Sequence, residues 1–522
     1  MAVVAWYWMV AALVVLVGLL CRYMTRNFNF WKDRGVPYMR PWPFVGNMGT
    51  VVACKEHLAD VVFRCYRLAG DVPFKGMFAF DQPFLMVKDP ELVGRIFVAD
   101  FGTFHTRNFE VNSETDTVFA NSIFGAQGRK WKVMRYKLVP AFSSGKMKKM
   151  FPLVDDVGKD LIQNIQKAVR EDSAVDVRQV LTCYTADIVC SIFLGVEGGS
   201  LKNEDSPVCR QLHRFLRKDA FAGPAYAVFF LAPQLLRFLP FKFTSSDAEK
   251  GLFDTIVQVM DHRKKTGEVR GDVVDAVLRI FDDQDAETGK APAMDEAWEQ
   301  STEQQDEVMD VIKAVSNIMI FLEGGFDTTS SVLTFALYEL AFHQDVQEKL
   351  RQEIQMVTAK HRGQLTYAAV MEMTFLDNTM SETLRLHPPL NFVDRRATED
   401  YRLPGTDLVL PKNTAVVVSL LGLHTDPRYW KEPLRFIPER FSDENSKRRP
   451  RFTYLPFSDG PRMCIGPRLG QLVAKTALAH IISNFRISPT AKTPQPLMKD
   501  PGKLVGAPKG QLELSFQQIP SE

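Results

Sequence analysis

Several features that mark common protein classes are missing from this sequence. It has no G-x-G-x-x-G and no G-x-x-x-x-G-K stretch, so it lacks the glycine loops that cradle a dinucleotide or a nucleoside triphosphate. Lys and Arg number 64 against 62 for Asp and Glu, a net charge of +2, which leaves no basic excess for a nucleic-acid partner. Its seven cysteines, at 21, 54, 65, 183, 190, 209 and 464, contain no C-x-x-C pair. Their odd number and wide spacing argue against a disulfide framework or a zinc site and fit a reducing compartment. No N-x-[ST] acceptor occurs, as expected of a chain facing the cytosol. No internal repeat or composition break divides the 522 residues, and their 46% hydrophobic content is enough to bury a large core.

Charge is also missing from Met1 to Cys21, where Val3–Leu20 is almost wholly apolar and close to the length that crosses a bilayer. Arg22, Arg26, Lys32 and Arg34 follow. With no basic start and no small-residue cleavage site, the segment reads as an uncleaved anchor, and its basic flank keeps the following domain in the cytosol. The expected division is an anchor over 1–21, a basic, Pro-rich connector over 22–46 and a catalytic domain over 47–522. A second apolar run, Phe221 to Phe243, is broken by Gly223, Pro224, Pro233 and Pro240. It is expected to lie in the plane of the membrane rather than span it. The acidic stretch from Asp282 to Glu307 reads as a solvated connector.

What is present centres on Cys464, in Phe457-Ser458-Asp459-Gly460-Pro461-Arg462-Met463-Cys464-Ile465-Gly466. The glycines let the backbone approach a flat ligand closely, Arg462 favours a thiolate over a thiol, and Phe457 can shield the sulfur from water. Far upstream, Phe321-Leu322-Glu323-Gly324-Gly325-Phe326-Asp327-Thr328-Thr329 lies in a helical stretch from about Val311 to Ala341. There Thr328 can turn its hydroxyl to an i−4 carbonyl and open the backbone. Glu382 and Arg385, at i and i+3, share a helix face, and Pro438-Glu439-Arg440-Phe441 brings a further arginine. In Trp131-Lys132-Val133-Met134-Arg135 an indole and a guanidinium face the same way.

Together these motifs resemble the cytochrome P450 superfamily, microsomal class, and most closely its insect xenobiotic-metabolising members. The likeness runs from the anchor to the last strands, although the proline hinge lacks the usual doubled proline. It implies a mainly α fold, a large helical domain with a small β-rich subdomain. Haem b would take Cys464 as axial iron ligand, with Trp131, Arg135, Arg395, Arg462 and Arg107 on its propionates. Glu382, Arg385 and Arg440 would form a buried structural triad, and Asp327 and Thr328 a proton relay.

The implied reaction is monooxygenation with O2, its electrons drawn from NADPH through NADPH-cytochrome P450 reductase, with cytochrome b5 a further candidate donor. Lys130, Lys132, Lys137, Lys146, Lys148, Lys149 and the run Lys447–Arg451 are candidate docking residues. The implied location is the endoplasmic reticulum membrane. Substrates would be lipophilic small molecules such as plant allelochemicals or insecticides; hormone or fatty-acid hydroxylation, a haem-thiolate isomerase and a non-enzymatic haem carrier remain alternatives. By family position the pocket takes Ile123, Phe124, Phe321, Glu323, Gly325 and Phe392. Glu323 departs from the apolar residue usual in relatives. It shares a helix face with Asp327, which needs a basic partner or a shifted pKa, and it would bias the pocket toward basic or hydrogen-bond-donating substrates.

Overall fold

The computed structural model describes residues 2–111, 113–171, 174–203, 206, 210, 214–215, 222–233, 246–286 and 310–520. Among them are twelve helices of ten residues or more. They are α1 Ala2–Met24, α2 Leu58–Leu68, α3 Gly128–Leu138, α4 Ser144–Glu171, α5 Val177–Val189, α6 Ala222–Leu231, α7 Ser246–Thr266, α8 Val273–Ala286, α9 Val311–Phe342, α10 Gln344–Lys360, α11 Thr374–Leu386 and α12 Pro467–Asn484. Among the described residues, nine strands form three sheets. The largest has the order β1 (Phe74–Ala79), β2 (Gln82–Val87), β7 (Ala415–Ser419), β4 (Phe392–Arg396), with the β2–β7 pair parallel and its neighbours antiparallel. Strands β3 (Ala174–Asp176), β9 (Glu513–Gln518) and β8 (Phe485–Pro489) make the second sheet, and β5 (Tyr401–Arg402) and β6 (Val409–Leu410) the third.

Two apolar cores follow from this layout, one among the helices and one on the large sheet. Ile320, on α9, packs against both, so the middle of α9 lies at their junction. The helix is started by Asp310, whose side chain accepts from the N–H of Lys313 at 2.7 Å, a local N-cap bond. It carries two adjacent glycines without breaking because they face different surroundings. A Cβ on Gly325 would lie 3.1 Å from Phe193 and 3.3 Å from Val189, so its missing side chain lets α9 close on α5. A Cβ on Gly324 would meet nothing within 4 Å.

Helix α1 includes a 21-residue window, Val4–Met24, with mean hydropathy 2.4 and no burial against the rest of the chain. The stretch read as a connector is bound to the sheet. Trp31 is wholly buried and its indole N–H donates to the carbonyl of Met77. Tyr38 bridges Gly76, and Val36 joins the sheet core. The expectation of an in-plane membrane element is not met by the buried residues within 224–233, the part of that run with described side chains. Tyr226, Phe229, Phe230 and Leu231 are buried in the sheet core; an apolar, proline-bounded sequence satisfies a protein interior as well as lipid. The acidic stretch falls outside the described residues over 287–309, as does Cys209.

Candidate active site

The Cys464 loop is shaped by its own backbone. The amide of Cys464 donates to the carbonyl of Phe457 (2.9 Å) and that of Met463 to Gly460 (3.0 Å). Gly460 has φ +75°, and a Cβ there would collide with the carbonyl of Phe97, so only glycine fits. Pro467 at the first position of α12 starts a helix directly behind the loop. The thiol is exposed to the space in front of it, yet the surrounding protein desolvates it. This raises its pKa, while the Gly466 N–H, Arg135 and Arg107 pull it back down. The loop therefore opposes a free thiolate by desolvation and partly restores it by charge, as suits a sulfur that ends up bound to a metal.

Around this loop lies a cluster of cations. Arg462 donates from Nε to the carbonyl of His105 (2.6 Å) and from Nη2 to Ala126 (3.1 Å), and its guanidinium sits 4.2 Å over the ring of Trp131. Arg135 donates to the carbonyl of Met463 at 2.8 Å, bracing the residue next to the cysteine. Arg107 lies 4.2 Å over the ring of Phe124, and Arg395, on β4, lies 4.7 Å over Phe97. Burial first, and then their mutual repulsion, lower the pKa of Arg395 to about 9 and of Arg462 to about 8; burial lowers Arg107 too. Asp394 is the one carboxylate raising all three.

Four buried guanidinium nitrogens in this cluster, Arg107 Nε, Arg395 Nε and Nη2, and Arg462 Nη1, have no hydrogen-bond partner among the described residues. Buried donors in this number call for an acceptor. An anionic ligand in front of the Cys464 loop would supply one, and the propionates of haem are of that chemistry. Sequence reasoning missed Gln127, whose side-chain oxygen accepts from both the Arg107 amide and Arg462 Nη2, each at 3.2 Å. A glutamine in a loop gives no signal of such a role.

Glu382, Arg385 and Arg440 lie together. Arg385 pairs bidentately with Glu382 (Nε–Oε2 2.6 Å, Nη2–Oε1 2.8 Å), and both are wholly buried. Its other donors reach the carbonyls of His424 (2.8 Å), Pro433 (2.6 Å) and Arg435 (3.1 Å). Arg440 Nε stands 3.2 Å from Glu382, which also accepts from the amide of Ile437 (2.8 Å). His424, absent from the sequence reading, extends the network: its Nε2 accepts from the Leu455 amide at 2.8 Å. Burial, and then Arg385, hold its imidazole neutral, with the pKa down to about 3. Helix α11 is thus tied to the segment that leads into the cysteine loop.

On α9, Thr328 Oγ1 donates to the carbonyl of Gly324 at 2.6 Å, the i−4 bond expected from sequence. Gly324 is exposed in the middle of a buried helix, with Ile320, Glu323, Asp327 and Thr328 half-buried around it. This is the open face of α9. Phe321 and Gly325 do not belong to it, a correction to the expected pocket. Phe321 is buried against Phe142 and Phe193 (ring centroids 5.1 and 6.0 Å), and Gly325 abuts α5. Residues one position apart in a helix point about 100° apart, so a pocket face cannot include the whole run.

Glu323 and Asp327 both lie near Tyr226 of α6. Burial, and then these two carboxylates, raise its phenol pKa. Ile123 is buried, its amide donating to Asn317 on α9 at 2.8 Å. Phe124 stacks on Phe109 with centroids 5.4 Å apart, and Phe392 is half-buried at the start of β4. Trp131 is buried beside Phe101, and Phe457 packs partly buried on the helical core.

A family model described as Cytochrome P450 matches residues 36–515. Cytochrome P450 6j1 of Blattella germanica is 38% identical over 492 residues, covering 94% of each chain. Cytochrome P450 6k1 of the same species is 35% identical, covering 97% of this chain and 96% of the relative. Probable cytochrome P450 6a14 of Drosophila melanogaster is 32% identical, covering 94% of this chain and 95% of the relative.

Proposed function

Because the chain belongs to the cytochrome P450 family, and so is a haem-thiolate monooxygenase, we propose that it hydroxylates or epoxidises lipophilic xenobiotics at the endoplasmic reticulum membrane. The observation that carries the site assignment is the set of partnerless buried guanidinium nitrogens of Arg107, Arg395 and Arg462 beside Cys464. Haem b, when bound, supplies the iron at which O2 is activated. Cys464 would hold its iron through the sulfur, and the three arginines, with Trp131 and Arg135, would hold its propionates by hydrogen bonds, charge-assisted from the guanidiniums. Electrons would come from NADPH through cytochrome P450 reductase, with cytochrome b5 as a second donor, docked on lysines such as Lys132 and Lys148. The assignment of the anchor to 1–21 and of the catalytic domain to the cytosol rests on the uncharged, apolar part of α1 up to Cys21 and its basic flank.

The residues of α9 do the remaining work. The Thr328 hydroxyl spends its own proton on the Gly324 carbonyl, so its lone pairs face outward as acceptors for water. Asp327, one residue earlier on the same open face, is the group that takes protons from solvent and passes them inward. Ile320 and Phe124 supply apolar walls, which suit a lipophilic substrate.

Wild-type enzyme with reductase and NADPH is expected to consume O2 and yield an oxygenated product from a panel of lipophilic substrates. Thr328→Ala is expected to keep consuming O2 but to lose about 10²–10⁴-fold in product, the range of a lost proton-transfer group, the balance appearing as reduced oxygen. Equal coupling in the two proteins would remove Thr328 from the relay, and no NADPH-dependent turnover at all would overturn the reading.

Glu323 sets the substrate range by its charge. Beside Asp327 and Tyr226 on the open face, it offers a negative site to an amine or another donor. Glu323→Leu is expected to weaken cationic substrates relative to neutral ones of equal size by roughly tenfold in kcat/KM, the scale of one charge-assisted hydrogen bond. An unchanged preference would place Glu323 outside the substrate site.

A further inference from the structure

The open face of α9 is one stripe of the helix, and toward the N-terminus it closes. Thr328, Gly324 and Asn317 stand four and seven residues apart, so they lie along one side. On that side Gly324 is exposed, Ile320 is half-buried and Asn317 is wholly buried. The loop from Asp116 to Gln127 meets α9 there. It is bonded to itself. The Asp116 side chain accepts from the amide of Phe119 (3.1 Å), and Ser122 Oγ donates to the carbonyl of Phe119 (2.7 Å) while accepting from the amide of Gly125 (3.2 Å). A Cβ on Gly125 would stand 2.1 Å from the carbonyl of Phe119, so only glycine lets the turn close.

Asn317 fastens this loop to the helix. Its Oδ1 accepts from the amide of Ile123 at 2.8 Å, and its Nδ2 donates to the carbonyl of Lys313 at 2.6 Å. The Asn121 carbonyl and the Met134 sulfur stand 3.4 and 3.2 Å from the same nitrogen. The Ile123 N–H can only donate, so it fixes which way the amide points. Asparagine is a poor residue for a helix interior. Here it lies among Val315, Ile318 and Met319, all buried, where its polar atoms need these partners. The far end of the loop reaches the cation cluster, where the Ala126 carbonyl and the Gln127 side chain accept from Arg462. Between the two attachments comes Phe124, half-buried and stacked on Phe109.

We propose that Asn317 is a positioning residue for substrate. Its amide holds the 121–126 segment as the end wall of the space in front of the open face, with Phe124 as the apolar side chain of that wall. It thereby sets how closely a large ligand is gripped. Being wholly buried under the loop, Asn317 acts through the Ile123 amide and not by touching the ligand. Without it that amide would be a buried donor lacking its acceptor, and the segment would shift to find water. The proposal rests on the reading of the open face as the substrate site, and the test separates the two.

Binding is read on the full-length, haem-loaded protein from the shift of the haem absorption band with two azoles that ligate iron. Imidazole is too small to press on the loop; clotrimazole is large enough to fill the space in front of it. Asn317→Ala is expected to weaken clotrimazole roughly tenfold, the scale of one buried hydrogen bond, with imidazole unchanged. Asn317→Asp, whose buried carboxyl would be protonated and can then make both bonds, is expected to restore most of that affinity. Ser122→Ala loosens the loop without touching α9. It is expected to act in the same direction as Asn317→Ala, and it stands in for that protein if alanine at 317 prevents haem loading. Unchanged clotrimazole affinity in the alanine proteins overturns the proposal. So does an equal loss of imidazole, which would make Asn317 a general support of the haem pocket. Ile320→Trp, which fills the open face itself, is expected to block clotrimazole and spare imidazole. Undiminished binding of both would overturn the substrate-face reading and the proposal with it.

Discussion

Replacing Cys464 with serine is expected to abolish the thiolate signature in the carbon monoxide difference spectrum of the reduced protein, and with it monooxygenase turnover. The change removes one atom type from a loop whose backbone bonds, Cys464 to Phe457 and Met463 to Gly460, do not depend on the side chain. Arg107, Arg395, Arg462 and Trp131, proposed above to hold the propionates, also stay in place, so haem content measured after denaturation is expected to fall less than activity does. Activity should drop by more than the roughly 10–100-fold that follows changes in the outer shell of a metal site, because the ligand itself is lost. A serine protein that kept the signature would put the iron on another residue. A protein that lost its haem altogether would show that the sulfur, rather than the guanidiniums, carries most of the binding.

The second large effect is on stability. Glu382→Ala would leave Arg385, wholly buried, without its bidentate carboxylate, and would deprive the Ile437 amide of its acceptor. Breaking a buried pair by removing one partner costs about 3–5 kcal/mol, a large part of the about 5–15 kcal/mol that separates a folded from an unfolded domain. The expected outcome is little or no haem-loaded protein at ordinary growth temperature. Arg440→Ala should be milder, because Glu382 would keep both bonds to Arg385 and the one to Ile437. Haem retention against temperature, measured for the two variants and wild type, tests the ranking. Equal retention in Glu382→Ala and wild type would mean that the carboxylate does not support the loop.

How much of this could be read from the sequence depended on whether a residue acts through a local pattern or through a distant neighbour. Cys464 with its glycines, Thr328 with its i−4 carbonyl, and Glu382 with Arg385 are short-range arrangements, and the structure has the bonds that the spacing implies. The family resemblance was likewise legible and agrees with the match over residues 36–515. Phe321 and Gly325 misled because family position names a stretch of helix and not the side of it that faces the pocket. Only Phe142, Phe193 and Val189 decide which side of α9 is packed. Residues 224–233 of the second apolar run misled because lipid and the interior of a protein ask for the same side chains. Gln127 and His424 were invisible because their partners lie in other parts of the chain: Arg462 for Gln127, Arg385 and Leu455 for His424.

Trp31 also bears on where the protein can be cut. A soluble form made by deleting the anchor and starting at the prolines, near Pro37 or Asn47, would remove a wholly buried indole from over Gly76. It would also remove Phe28 from its contact with Phe78 and Arg26 from the buried Asp81. Such a protein would trade one apolar surface for another, with the outer face of β1 laid bare. A usable truncation begins upstream of Arg26, within the last turn of α1, where the membrane part ends and the fold has already begun.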